Sequence, residues 1–142
     1  MKNRLAFYAV AYGFWGFSIL LGLLAGMIVR ETVIFALISS DADRYVIHLG
    51  TQLITVVLGL VLLVVIVILE NRYRVGLAKG RSRGYFLRFF GATLLVMAVT
   101  HLWYVAVAWG LGTLDTFRLT AGLVEVVVGS LSLQLARRSF PR

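Results

Sequence analysis

The chain has 142 residues, is 61% hydrophobic with a mean hydropathy of +0.94, and carries a formal net charge of +8 on only 14% charged residues. So few polar groups could not cover that much apolar surface in water, which excludes a water-soluble domain and makes lipid part of the solvent. Cysteine is absent, which excludes disulfides and zinc or iron–sulfur sites held by thiolates.

Four apolar runs are long enough to cross a ~30 Å hydrocarbon core, which takes about 20 helical residues. They cover residues 5–29, 45–69, 86–111 and 116–136. Barrel strands are ~10 residues of alternating pattern, and these runs are longer and uniformly apolar. The expected fold is therefore all-α, a four-helix transmembrane bundle forming one integral membrane domain over residues 1–142.

Lys2 and Arg4 precede the first run like the n-region of a signal peptide. The run exceeds a ~7–15-residue h-region and no small-x-small site follows it, so a retained span is expected. Within it, Gly22-Leu-Leu-Ala-Gly26 is a small-xxx-small pattern, which makes Gly22 and Gly26 candidate helix-packing positions. Residues 30–44 then read as a loop carrying Glu31, Asp41 and Asp43. In the second run His48, Gln52 and Thr55 share one helical face at i, i+4 and i+7.

Segment 70–88, ENRYRVGLAKGRSRGYFLR, is the most polar part of the chain. Gly76, Gly80 and Gly84 predict a flexible loop, and no GKS or GKT follows that would make it a nucleotide-binding loop. Its basic residues Arg72, Arg74, Lys79, Arg81, Arg83 and Arg88 are candidate contacts to anionic lipid, with Glu70 expected to pair with one of the arginines. The third run carries His101 and ends in Trp103, Tyr104 and Trp109, aromatics suited to a membrane interface. In the fourth run Gly122, Glu125, Gly129 and Ser132 share a face, and glycines on such a face let helices approach closely. Gly122 and Gly129 are thus the second pair of packing candidates.

Lysines and arginines distribute unequally about these runs. Eleven fall on the side of both termini and the 70–88 segment, while Arg30, Arg44 and Arg118 fall on the other. The positive-inside rule then predicts both termini in the cytoplasm. Basic residues gathered between apolar runs also speak for topology rather than for nucleic-acid binding.

Polar groups inside a membrane are costly unless paired, so Gln52, His101 and Glu125 are the informative ones. At 1.5 Å per residue they lie about 10, 8 and 13 Å below the outer surface, in one layer reached by three different helices. Two readings fit that layer: a hydrogen-bonded clasp between helices, or a proton relay or ligand site. His48, nearer the surface, with His101 leaves bis-histidine haem ligation as a third and lesser reading; otherwise no cofactor and no metal is expected. Neither HExxH nor GxSxG occurs, so no catalytic residue is expected.

Arg30-Glu31-Thr32-Val33 after the first run, Phe86-Leu87-Arg88-Phe89-Phe90 opening the third, and Glu70 near the end of the second make the chain resemble the phosphate-starvation-inducible PsiE-like membrane proteins. The likeness covers roughly residues 15–110. It implies a multi-pass protein of the bacterial plasma (inner) membrane without an established reaction. The expected function is accordingly a non-enzymatic accessory or assembly subunit with a protein partner or as a homo-oligomer. The alternative is an oligomer that conducts protons or small ions through the polar layer.

Overall fold

The computed structural model describes residues 2–139, with side chains from Tyr8 onward except Ala78. Pro141, Arg142 and the side chains of Lys2 and Arg4 lie outside that range. Four helices account for almost all of it: α1 (Lys2–Ser39), α2 (Arg44–Ala78), α3 (Ser82–Gly110) and α4 (Thr116–Arg138). All four are long and apolar enough to span a membrane, and α2 reaches a mean hydropathy of 3.2.

The helices outrun the apolar runs at two places. α1 continues through Arg30 and Glu31 to Ser39, and α2 continues through the polar residues 70–78. Residues 70–88 are therefore not a flexible loop. Only Lys79, Gly80 and Arg81 separate α2 from α3, with Gly80 at φ +65° making the turn. Hydropathy drops where charges begin, but Glu, Arg, Leu and Ala are strong helix formers, and nothing in either segment obliges the backbone to stop. Gly76 serves close approach instead of flexibility, since a Cβ there would stand 2.7 Å from the Tyr85 ring. Similarly the stretch 30–44 shrinks to a connection at residues 40–43, with Asp41 in the left-handed region at φ 53°. The α3–α4 connection uses Gly112 at φ 78°, and the Asp115 carboxylate caps α4 by accepting from the Arg118 backbone N–H at 3.0 Å.

The helices run up, down, up, down. α1 and α2 are antiparallel, fastened by Arg30 to Thr55 at one level and Ser18 to Tyr73 at another. α1 and α3 run parallel, with Phe14 stacked on Phe86 (4.5 Å) near one end and Phe35 on Tyr104 (4.2 Å) near the other. α4 packs against α3 alone. The bundle is thus open: α3 is its centre, contacting α1, α2 and α4, while α4 is an outer helix packed on α3.

At the α3–α4 seam the backbones nearly touch. A Cβ on Gly91 would lie 2.8 Å from the Gly129 carbonyl oxygen, and one on Gly129 would lie 3.0 Å from that of Gly91. Elsewhere large apolar side chains face outward, as with Leu53, Leu60 and Val64 on α2 and Leu123, Val127 and Leu131 on α4. In water such faces would aggregate; in a bilayer they contact acyl chains. Arg118 and Arg137 on α4 are 19 residues apart, or about 28 Å, which matches one hydrocarbon core.

Candidate functional site: a carboxyl–imidazole pair between α3 and α4

Glycine decides where the site forms. Gly122 sits in a tight approach, since its Cβ would stand 3.3 Å from both His101 Cβ and Leu102 Cγ. With Gly129 packed on Leu95 and Gly91 one layer below, the two helices lie close enough for short-range contact between their side chains. His101 Nδ1 and Glu125 Oε2 are 2.9 Å apart, with side chains only 10% and 13% exposed.

At 2.9 Å one hydrogen lies between the partners, donated either by the ring nitrogen to the carboxylate or by a carboxylic O–H to the ring. The arrangement can hold a proton or clasp two helices. Among the described residues no third His, Asp or Glu joins them in a cluster able to hold a metal ion.

Gln52 and His48 are elsewhere. Both are exposed on α2, where the Gln52 amide nitrogen donates to His48 Nε2 at 3.1 Å, one turn away. Gln52 therefore does not converge with His101 and Glu125. Depth is a coordinate along the membrane normal only, and α2 makes no contact with α4. The two histidines likewise face different surroundings, His48 outward and His101 toward α4, each with its own partner.

The glycines of α1 also part company. Gly22 packs against α2, its Cβ position 3.0 Å from Leu62 Cδ1, whereas Gly26 has no atom within 4 Å and lines an open cleft. Of the basic residues on the α2–α3 hairpin, Arg72, Arg74, Lys79, Arg81, Arg83 and Arg88 are all exposed. Arg74 pairs with Glu70 at 3.8 Å, and the Arg72 guanidinium lies 5.9 Å from the Tyr85 ring centre.

A second polar cluster was not foreseen. Arg118 lies 3.9 Å over the Tyr104 ring, whose other neighbour is Phe35, and reaches Asp115 at 3.4 Å and Glu31 at 3.5 Å. It joins α4 to α3 and, through Glu31, to α1. The sequence shows Arg118 only as a charge; the residue it stacks on is fourteen positions away on another helix.

No protein-family model matches the chain, and no curated protein and no solved structure matches it.

Proposed function

We propose that this chain is a non-enzymatic, multi-pass protein of the bacterial plasma membrane, PsiE-like, which serves as an accessory or assembly subunit. In this reading the His101–Glu125 pair is an interhelical clasp. The observation that carries it is that polar groups stop at the pair. Toward the basic end of the bundle, the next buried hydroxyls on this seam are Thr93 and Ser132, about 10–12 Å away. Both donate to carbonyls of their own helices, Phe89 and Val128. Between them Leu95 packs on Gly129, 3.2 Å from where a Cβ would stand, so an apolar side chain fills the gap. The accessory role is supported by the one-sided attachment of α4, whose remaining faces are free for a protein partner or a second copy. The exposed arginines and lysine of the α2–α3 hairpin suit anionic headgroups of the cytoplasmic leaflet, at ~1 kcal/mol each.

Substitution at Glu125 tests the clasp. Glu125→Gln keeps a hydrogen-bonding group toward His101 and should cost under ~1 kcal/mol. Glu125→Leu strands the imidazole and adds a branched side chain beside Gly122 and Gly129, and should cost ~1–3 kcal/mol. Equal unfolding midpoints for the two variants in detergent would remove the clasp. Gentle extraction followed by sizing and mass spectrometry tests the accessory role: a clean monomer with no copurifying protein counts against it.

A second reading, a proton- or ion-conducting oligomer, is favoured by one observation, the 2.9 Å hydrogen bond between an imidazole and a carboxyl group on two apolar helices. It requires flux into proteoliposomes that Glu125→Gln abolishes at unchanged stability. No flux above empty liposomes removes it.

A further inference from the structure

A cleft of about 480 Å³ opens between α1, α2 and α3, away from the carboxyl–imidazole pair. Its floor is α1 (Gly22, Ala25, Gly26) and its walls are Leu58, Gly59 and Leu62 of α2 with Phe89, Ala92 and Val96 of α3. That volume falls in the ~300–1,000 Å³ range of small-ligand sites. The lining is almost wholly apolar, and it is kept open by missing side chains: Cβ atoms built on Gly26 or Gly59 would meet nothing within 4 Å.

Two features identify the occupant. The first is length. From Gly22 to Arg30 on α1 and from Val65 to Thr55 on α2 the cleft runs about 12–15 Å, which is the depth of one leaflet of a ~30 Å core. The second is charge. Arg30 stands at the mouth, one residue below Glu31. Its Nε donates to Thr55 Oγ1 at 3.0 Å, while the Thr55 hydroxyl hydrogen is committed to the Thr51 carbonyl at 2.7 Å. Thr55 thus fixes the guanidinium while its terminal amino groups stay available. Glu31 turns instead to Arg118, and among the described residues no carboxylate pairs with Arg30. A cation held at the rim of an apolar, leaflet-deep cleft is complementary to an anionic headgroup with its acyl chain inserted below. Guanidinium binds phosphate with two parallel hydrogen bonds.

We infer that this cleft is a specific site for one anionic phospholipid of the leaflet opposite the basic α2–α3 turn, with its phosphate on Arg30 and one acyl chain between Gly26 and Gly59. The inference does not depend on the role proposed above for the chain. Shape supplies the chain contact and Arg30 supplies headgroup selection, so the two should separate by mutation.

Native mass spectrometry of the full chain, purified in mild detergent and titrated with phosphatidylglycerol or phosphatidylcholine, reads both. The wild type should retain one phospholipid and prefer phosphatidylglycerol by about fivefold, equivalent to about 1 kcal/mol. Arg30→Gln should bind both lipids equally. Gly59→Leu should lose the tightly bound lipid of either kind, and Gly26→Leu provides a second blocking variant; circular dichroism of each checks that four helices remain. Unchanged lipid retention in both folded glycine variants, or undiminished phosphatidylglycerol preference in Arg30→Gln, overturns the site. A wild-type dimer that carries no lipid and dissociates in Gly59→Leu would give the cleft to a second copy and overturn it equally.

Discussion

Replacing Gly91 with alanine should loosen α4 more than the same change at Gly122 or Gly129. The added Cβ would stand 2.8 Å from the Gly129 carbonyl oxygen and 2.9 Å from Leu133 Cγ, where ordinary contact starts near 3.4 Å. The shortfall against the carbonyl, 3.4 − 2.8, is 0.6 Å, and a backbone atom has no rotamer by which to move aside. The helices must separate, and among the described residues only the Arg118–Glu31 contact ties α4 to a helix other than α3. Overpacking of this kind costs ~1–3 kcal/mol. Against it stands the gain of ~0.5–1 kcal/mol from replacing a helical glycine by alanine. A net loss of about 1–2 kcal/mol should remain for Gly91→Ala. Gly26→Ala, with nothing within 4 Å, should show the gain alone. Denaturant midpoints in detergent, followed by circular dichroism, measure both. Gly91→Ala as stable as Gly26→Ala would refute the close approach of α3 and α4.

At the Ser18–Tyr73 contact, the Ser18 hydroxyl donates to the Phe14 carbonyl at 2.7 Å, so the Tyr73 hydroxyl at 2.9 Å must be the donor to Ser18. Ser18→Ala therefore strands a buried phenol and should cost ~1–3 kcal/mol, whereas Tyr73→Phe leaves Ser18 satisfied and should cost ~0.5–1.5 kcal/mol; equal costs in thermal melts would contradict that assignment. Arg118→Ala should cost ~1 kcal/mol and speed amide exchange in the first turns of α4, and Arg118→Lys should recover only part, because an ammonium lacks the planar face that lies on Tyr104. Full recovery by lysine would mean that charge, not stacking, holds the helix end. Cysteines introduced at Ser82 and Ser40 should label from opposite sides of the membrane, Ser82 from the cytoplasm. Labelling of the Ser82 variant by an impermeant reagent in intact cells would invert the orientation.

Much of the architecture is local and so was legible in the sequence. Any apolar run of sufficient length must become a helix in lipid, because only there are its backbone groups satisfied without water. That reasoning yields four helices before any contact is known, and the glycine face around Glu125 marks the helix side that meets a neighbour. Helix ends were less legible: Arg30 and Glu31 closed the first apolar run although residues 33–38 beyond them are apolar again, and α2 continues past Glu70 on ordinary propensity. The tertiary structure alone decided which helices touch. Equal depth made Gln52 and His101 equivalent candidates for Glu125, and the packing order separated them, leaving Gln52 with His48 on α2 and His101 against α4. It also assembled Arg118 with Tyr104 and Glu31, and opened a cleft at Gly26 beneath Arg30, at whose far end Gly22 packs on Leu62. In a bilayer every outward face is equally apolar, so hydropathy carries no signal for helix order. That order comes from the fit of small residues against large ones between segments distant in sequence.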